Sequence, residues 1–251
     1  MSIKEHKEYI RHVAGSRSAV LFIHGIIGTP AHFDRLIPAV PDTWSVYSML
    51  LDGHGGTAED FSNTSMEKWR EQVHQAVDDL SPHYENVVIA AHSMGTLFAM
   101  ENAVRAPEKV KLLFLLACPL FMRPTAHAVK NAIKVLSGRI RPDDAEGLAA
   151  RDAFGIEPTL RLWKYLGWVP RYLELFREAR TVRSIVREIT IPCHVFQSGK
   201  DELVSPRAAE YLRKQPNITL EILESSRHSY YGGGDLEHLL SSLQSMLTGI
   251  K

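Results

Sequence analysis

The sequence predicts an α/β fold in which a mainly parallel central sheet is covered by helices on both faces and interrupted by one helical insertion. Three observations carry that expectation. Short apolar runs rich in β-branched residues alternate with segments whose apolar residues recur at helical spacing. Most runs stop at a glycine or a polar turn, as strands buried on both faces do. The rhythm then fails once, over about seventy residues between Cys118 and Ile191.

In chain order, Glu8 to Val13 suits an antiparallel edge strand, and Ser18 to His24 is an apolar run closed by Gly25. After Thr29-Pro30, Ala31 to Val40 reads as a short helical segment. Val46 to Leu51 is the next strand, closed by Asp52-Gly53-His54-Gly55-Gly56. Met66, Trp69, Val73, Val77 and Leu80 share one helical face, with Thr64 or Ser65 as cap and Ser81-Pro82 as stop. Val87 to Ala91 is a strand that halts at His92-Ser93-Met94-Gly95, and a helix over Thr96 to Arg105 begins at once. Ser93 therefore occupies the apex of a sharp strand-to-helix turn. Val110 to Cys118, Cys193 to Gln197 and Ile218 to Leu223 supply further strands. A helix over Pro206 to Lys214 separates the last two, and Leu236 to Leu247 closes the chain as another. Right-handed crossovers join parallel strands of this kind.

A simple crossover needs one helix and two short loops, so seventy residues imply an insertion. Ala126, Val129, Ile133 and Leu136 mark one helix in it, Leu160 and Trp163 a second, and Tyr172, Leu173, Leu175, Phe176 and Ala179 a third. Prolines at 124, 142, 158 and 170 punctuate them. The division expected is a core of residues 1–118 and 189–251 with a helical cap, 119–188, over the strand C-termini. Trp163, Tyr165 and Trp168 belong to the most aromatic stretch of the chain and are the candidate substrate-binding residues. The alternative is that these rings only pack the insertion onto the sheet.

Composition narrows the function classes. The 251 residues, 45% of them hydrophobic, suit one compact domain with a sizeable core. Lys+Arg and Asp+Glu both count 29, so the zero net charge lacks the electrostatic footprint of a nucleic-acid or anionic-membrane binder and favours a small-molecule partner. Met1 to Tyr9 is polar and no run approaches the ~18 apolar residues of a membrane span, so a soluble, cytoplasmic protein is expected. Cys118 and Cys193 fall in buried strand positions, where thiols act as small hydrophobes, and neither a disulfide nor a metal site is expected.

Ligands of an open α/β sheet bind beyond the carboxyl ends of its strands. Ser93 follows the central strand, Asp201 follows the Cys193 strand through Ser198-Gly199-Lys200, and His228 follows the Ile218 strand through Ser225-Ser226-Arg227. With Ala91-His92-Ser93-Met94-Gly95, His24-Gly25 and the order serine, aspartate, histidine, the chain resembles the α/β-hydrolase superfamily, and within it the capped carboxylesterase and monoacylglycerol-lipase-like enzymes. That resemblance implies an α/β-hydrolase fold with a helical cap insertion, and a catalytic set of Ser93, Asp201 and His228. Asp52-Gly53-His54-Gly55 is similar to the family's glycine-rich loop.

The chemistry needs the same residue types. A serine hydroxyl is a weak nucleophile unless a histidine takes its proton, which assigns the base to His228. A buried carboxylate must hold the imidazole tautomer and stabilise its cation, the part given to Asp201. The oxyanion needs fixed donors, and the backbone N–H groups of Ile26 and Met94 are the candidates. Glu202 is the fallback acid.

Two positions depart from the family pattern. Ala91 stands where the elbow begins with glycine, and a small residue is still compatible with close strand–helix packing. Arg227 stands where many relatives have a small residue before the histidine. It can reshape that loop or offer a cation to a substrate carboxylate, although arginines usually point into solvent. His24, His54 and His92 are expected to shape loops rather than to bind metal, and Gly232-Gly233-Gly234 lacks the lysine of a phosphate loop.

The expectation is thus a serine hydrolase without cofactor, cleaving short- to medium-chain acyl esters or monoacylglycerols through an acyl-enzyme. Thioester, amide or carbon–carbon bond cleavage, and a non-enzymatic ligand receptor, are the alternatives. Haloalkane dehalogenase and epoxide hydrolase readings are disfavoured, because they need an aspartate at the elbow where this chain has Ser93.

Overall fold

A computed structural model describes residues 6–159 and 161–250. Leu160, expected to mark a helix, and residues 1–5 of the polar N-terminal stretch lie outside them.

Seven strands form one sheet in the order β1-β3-β2-β4-β5-β6-β7. They are β1 (Tyr9–Arg11), β2 (Ser18–Ile23), β3 (Ser45–Met49), β4 (Asn86–His92), β5 (Val110–Leu116), β6 (Cys193–Ser198) and β7 (Ile218–Leu223). Only β1 is antiparallel, pairing Tyr9 with Ser48 at the edge. The other six run parallel, so their carboxyl ends open on one side of the sheet. Every residue of β2 and β4 is buried, which accounts for the unbroken apolar runs Ala19 to Ile23 and Val87 to Ala91 within them.

Helices cover both faces. α1 (Ala58–Ser62), α2 (Met66–Leu80) and α3 (Met94–Arg105) lie along the chain between β3 and β5. The predicted face of α2 is buried, with Trp69, Val73 and Val77 fully enclosed. Together with Leu97 and Phe98 of α3 and alternate residues of β2 and β4 they build one core. Leu239, Leu243 and Leu247 of α8 (Asp235–Thr248) build the other, on the opposite sheet face, with Val20, Phe22, Val88 and Phe114. α7 (Arg207–Leu212) joins β6 to β7.

Some elements differ from expectation. The segment over 31–40 is two short 3₁₀ turns, Pro30–Phe33 and Ile37–Ala39, because Pro30 and Pro38 break any longer ladder. Helix α1 has too few residues to show periodicity, although its capping box, Thr57 with Asp60, is a recognisable start. Between β5 and β6 the structure has α4 (Ala126–Ser137), α5 (Ala145–Ala153), a 3₁₀ helix at Leu162–Gly167 and α6 (Trp168–Ile185). Leu175, Ala179 and Val182 of α6 join the core beside α2 and α3. Both cysteines are buried and free. Among the described residues no helix is long and apolar enough to cross a membrane.

Candidate active site

β4 ends at His92 and α3 begins at Met94, which leaves Ser93 alone to turn the chain, at φ 50° and ψ −123°. A non-glycine residue there stores on the order of 1–3 kcal/mol of backbone strain. Its neighbours hold it in place: Ser93 N–H donates to Leu116 O at 2.9 Å, and Thr96 donates to Ser93 O from both its N–H (2.9 Å) and its hydroxyl (2.6 Å). Helix and strand meet so closely that a Cβ at Gly95 would lie 2.3 Å from Ile23 O, and one at Gly25 would lie 2.8 Å from the Ser93 Cβ. Ala91 sits between Ile23 and Leu115 in the sheet and is fully buried, so the extra methyl is accommodated as core.

The three residues predicted at separate strand ends meet. His228 Nε2 lies 3.0 Å from Ser93 Oγ, and His228 Nδ1 lies 3.0 Å from Asp201 Oδ2. Asp201 is itself pinned, since Oδ1 accepts the N–H groups of Leu203 and Val204 at 2.8 Å each. Glu202 does not reach the imidazole; its carboxylate accepts the His228 backbone N–H at 3.3 Å. The loop before His228 is tied to β6 by Ser198 Oγ, which donates to Arg227 O at 2.8 Å.

Electrostatics follow from this burial and pairing. Burial disfavours the His228 cation, but the charge of Asp201, its hydrogen bond and the charge of Glu202 outweigh that and raise the pKa above the ordinary imidazole value. Burial likewise opposes ionisation of Asp201, yet the charge and hydrogen bond of His228, with the two backbone donors, hold it below the usual carboxylate value.

The other histidines nearby are structural. His24 donates through Nδ1 to Gly25 O at 2.8 Å and accepts Leu51 N–H on Nε2 at 3.0 Å, tying two loops together. His54 Nδ1 lies 3.2 Å from Leu51 O. His92 Nε2 donates to His228 O at 2.8 Å and its ring stacks on His32 at 3.8 Å. Sequence reasoning passed over His32, whose Nε2 lies 3.2 Å from the Tyr231 hydroxyl. Burial drives all four pKa values down: His32 to about 3, His54 to about 4, and His24 and His92 well below the ordinary value. Among the described residues no cluster of histidine, cysteine and carboxylate side chains could hold a metal ion.

Ser93 and His228 open on a cavity of about 260 Å³. Ile26 lines it beside Ser93, while Met94, at the first turn of α3, is fully buried. The segment between β5 and β6 supplies Val135, Ala150, Phe154, Tyr172, Leu175 and Phe176, so the wall facing the serine is mostly apolar, with Asn131 and Glu146 as its polar members. That segment is anchored to the loops after β2 and β3: Gly155 N–H donates to Ile27 O and Gly55 N–H to Gly155 O, both at 2.7 Å.

The expected aromatic lining is not what the structure has. Trp163, Tyr165 and Trp168 do not reach the cavity. Trp163 is 66% exposed. Tyr165 bonds the Thr159 backbone through its hydroxyl, and Trp168 is buried edge-on to Phe61 with its indole N–H on Ala58 O. The pocket aromatics stand one and two turns further along α6, at Tyr172 and Phe176, and in the chain before it, at Phe154. Arg227 also departs from the solvent-pointing expectation. It lines the cavity, with Nε 2.5 Å from Glu146 Oε1 of α5.

An elbow serine in this geometry, on a parallel sheet of this order, defines a class. Residues 20–234 match the model of the alpha/beta hydrolase family, and the chain belongs to that family. A pimeloyl-[acyl-carrier protein] methyl ester esterase of Neisseria meningitidis serogroup A is 27% identical, over 84% of this chain and 70% of the relative. A probable esterase of Oryza sativa subsp. japonica is 23% identical, over 91% of each chain. Among solved structures, a chain from the LipS and LipT pair of metagenome-derived lipolytic enzymes superposes with a TM-score of 0.77, at 20% identity over 98% of this chain and 99% of the other. The monoacylglycerol lipase of Paleococcus ferrophilus gives 0.69, at 17% identity over 97% and 99%. At those identities the structures establish the fold alone.

Proposed function

We propose that this chain hydrolyses carboxylic esters of short to medium acyl length, monoacylglycerols included, through an acyl-enzyme. The observation that carries the reading is the unbroken hydrogen-bonded line from Asp201 through His228 to Ser93, ending in an apolar cavity. Ser93 Oγ attacks the ester carbonyl as His228 Nε2 takes its proton, and Asp201 stabilises the imidazolium on the other nitrogen. Collapse of the tetrahedral adduct expels the alcohol, protonated by His228, and water then repeats the sequence to release the acid. The backbone N–H groups of Ile26 and Met94 receive the oxyanion.

Residues 119–188 act as the cap, with Tyr172, Phe154 and Phe176 facing the acyl chain. Low polarity around the carbonyl strengthens every dipole aimed at it. The names of the relatives, a methyl ester esterase and a monoacylglycerol lipase, fit an ester substrate.

The test is turnover of p-nitrophenyl esters across an acyl-length series, alongside thioester and amide analogues, in wild type and Ser93→Ala. Ester turnover that disappears in the variant is expected, with a fluorophosphonate labelling Ser93. Absence of both turnover and labelling would sink the reading in favour of a ligand receptor; faster thioester cleavage would move it to a thioesterase.

A further inference from the structure

A second hollow, of about 470 Å³, lies beside the cavity and shares Met122 and Phe176 with it. Its character is different, because Arg123, Arg183 and Arg207 all line it. The chain holds them there by local pairing: Arg123 N–H donates to Leu203 O at 2.8 Å and Ser205 N–H to Phe121 O at 2.7 Å, which brings the loop after β5 against the start of α7. Phe121 then serves two of the three, with the Arg183 guanidinium 4.4 Å and the Arg207 guanidinium 4.9 Å from its ring centroid. Such stacking fixes the guanidinium planes without consuming their N–H donors.

Some arginines that face other parts of the molecule have anionic partners: Arg70 pairs with Glu101 and Glu178, Arg105 with Asp78, and Arg171 with Glu174. Arg123, Arg183 and Arg207 have none within ion-pair distance among the described residues, although Glu210 lines the same hollow. Convergent cations repel one another, and they present more charge than the single carboxylate beside them can offset. A group with several anionic oxygens, matched to planar guanidinium forks, relieves both imbalances.

We infer that this hollow is a phosphate subsite, and that the ester cleaved at Ser93 carries its phosphate on the alcohol portion. The inference rests on the proposed ester hydrolysis. The apolar cavity takes the acyl chain, the arginines take the phosphate, and the two halves of the substrate meet across Met122 and Phe176. Ser93 Oγ bonds to the acyl carbon as the acyl–oxygen bond breaks, the alcohol leaves protonated by His228 with its phosphate unchanged, and water then releases the acid from Ser93.

Two matched esters test it: 1-butyrylglycerol and 1-butyrylglycerol 3-phosphate. Preference for the phosphate ester by about tenfold or more in kcat/KM is expected, carried by KM and shrinking with added salt. In the protein with Arg123, Arg183 and Arg207 all changed to Ala, the ratio between the two esters should fall to about one, and Arg→Lys replacements should keep part of it. Equal kcat/KM for both esters in wild type overturns the inference. So does a preference that the arginine variants leave intact. Calorimetric titration of Ser93→Ala protein with glycerol 3-phosphate and with inorganic phosphate separates the sources: arginine-dependent binding of both, without an ester preference, makes this a site for free phosphate and overturns the substrate assignment. Arginine-dependent binding of glycerol 3-phosphate by a protein that hydrolyses neither ester supports the subsite and discards the esterase reading instead.

Discussion

The two sides of the cavity are built by different physics. On the strand-end side, Ser93, Asp201 and His228 are held by a strained backbone, a Gly95 contact with no spare space and buried hydrogen bonds to β5, β6 and the loop after β7. On the other side, amphipathic helices supply the lining through side chains alone, and their outer faces leave Val129, Ile133, Leu166, Val169 and Leu173 exposed. Backbone-determined geometry tolerates almost no substitution, whereas side-chain lining can be exchanged with modest cost. On the proposed function, reaction type is therefore written on one side of the cavity and substrate choice on the other.

Substitutions can break or sharpen that contrast. Asp201→Asn should have the largest effect, lowering kcat on the order of 10⁴-fold because the imidazole loses its oriented tautomer, as pre-steady-state and steady-state ester assays would read. Gly95→Ala should come next: its Cβ would meet Ile23 O at 2.3 Å, and denaturant unfolding should report a loss of about 3 kcal/mol or an insoluble product. Across the cavity, Phe176→Ala should raise KM for the longer acyl esters by roughly tenfold, with kcat for the shortest nearly unchanged. If Phe176→Ala instead abolished kcat for every ester, the division between the two sides would be wrong.

A smaller effect concerns pH. His228 accepts a proton only when neutral, and its pKa is raised, so kcat/KM should fall as pH drops through a value above about 6.5. Glu202 contributes to that rise, so Glu202→Gln should shift the inflection to lower pH and preserve activity in mildly acidic buffer. An inflection that moved upward would reverse the sign and refute the assignment of that charge. Smallest of all, Trp163→Ala should change neither ester kinetics nor, beyond about 0.5 kcal/mol, stability, since the ring lies in solvent.

The same contrast explains what could be read from the chain. Strands such as Val87 to Ala91 and Cys193 to Gln197 are largely apolar because both faces are mostly buried, so their ends, and with them Ser93 and Asp201, are visible in one dimension; β7, half-exposed, marks the position of His228 less sharply. The inserted segment offers no such marker. Aromatic content located the region but not the orientation of α6, and the ring that packs on Phe61, Trp168, looks the same in sequence as one that faces substrate. Helix α5 is short and weakly amphipathic; its start is recognisable only from Asp144, whose side chain accepts Gly147 N–H at 2.9 Å. The Arg227–Glu146 pair joins residues far apart in the chain, and no local pattern specifies such a contact.

The histidines packed around Ser93 have a consequence for the chemistry. His24, His32, His54 and His92 are kept uncharged by burial, with values of about 3 and 4 for His32 and His54, while His228 alone is biased toward its cation. Near neutral pH this crowded ring cluster therefore acts as a reservoir with a capacity of one proton. In the proposed acyl transfer, the positive charge would stay on the imidazole that faces Asp201, with no neighbouring ring to compete for it.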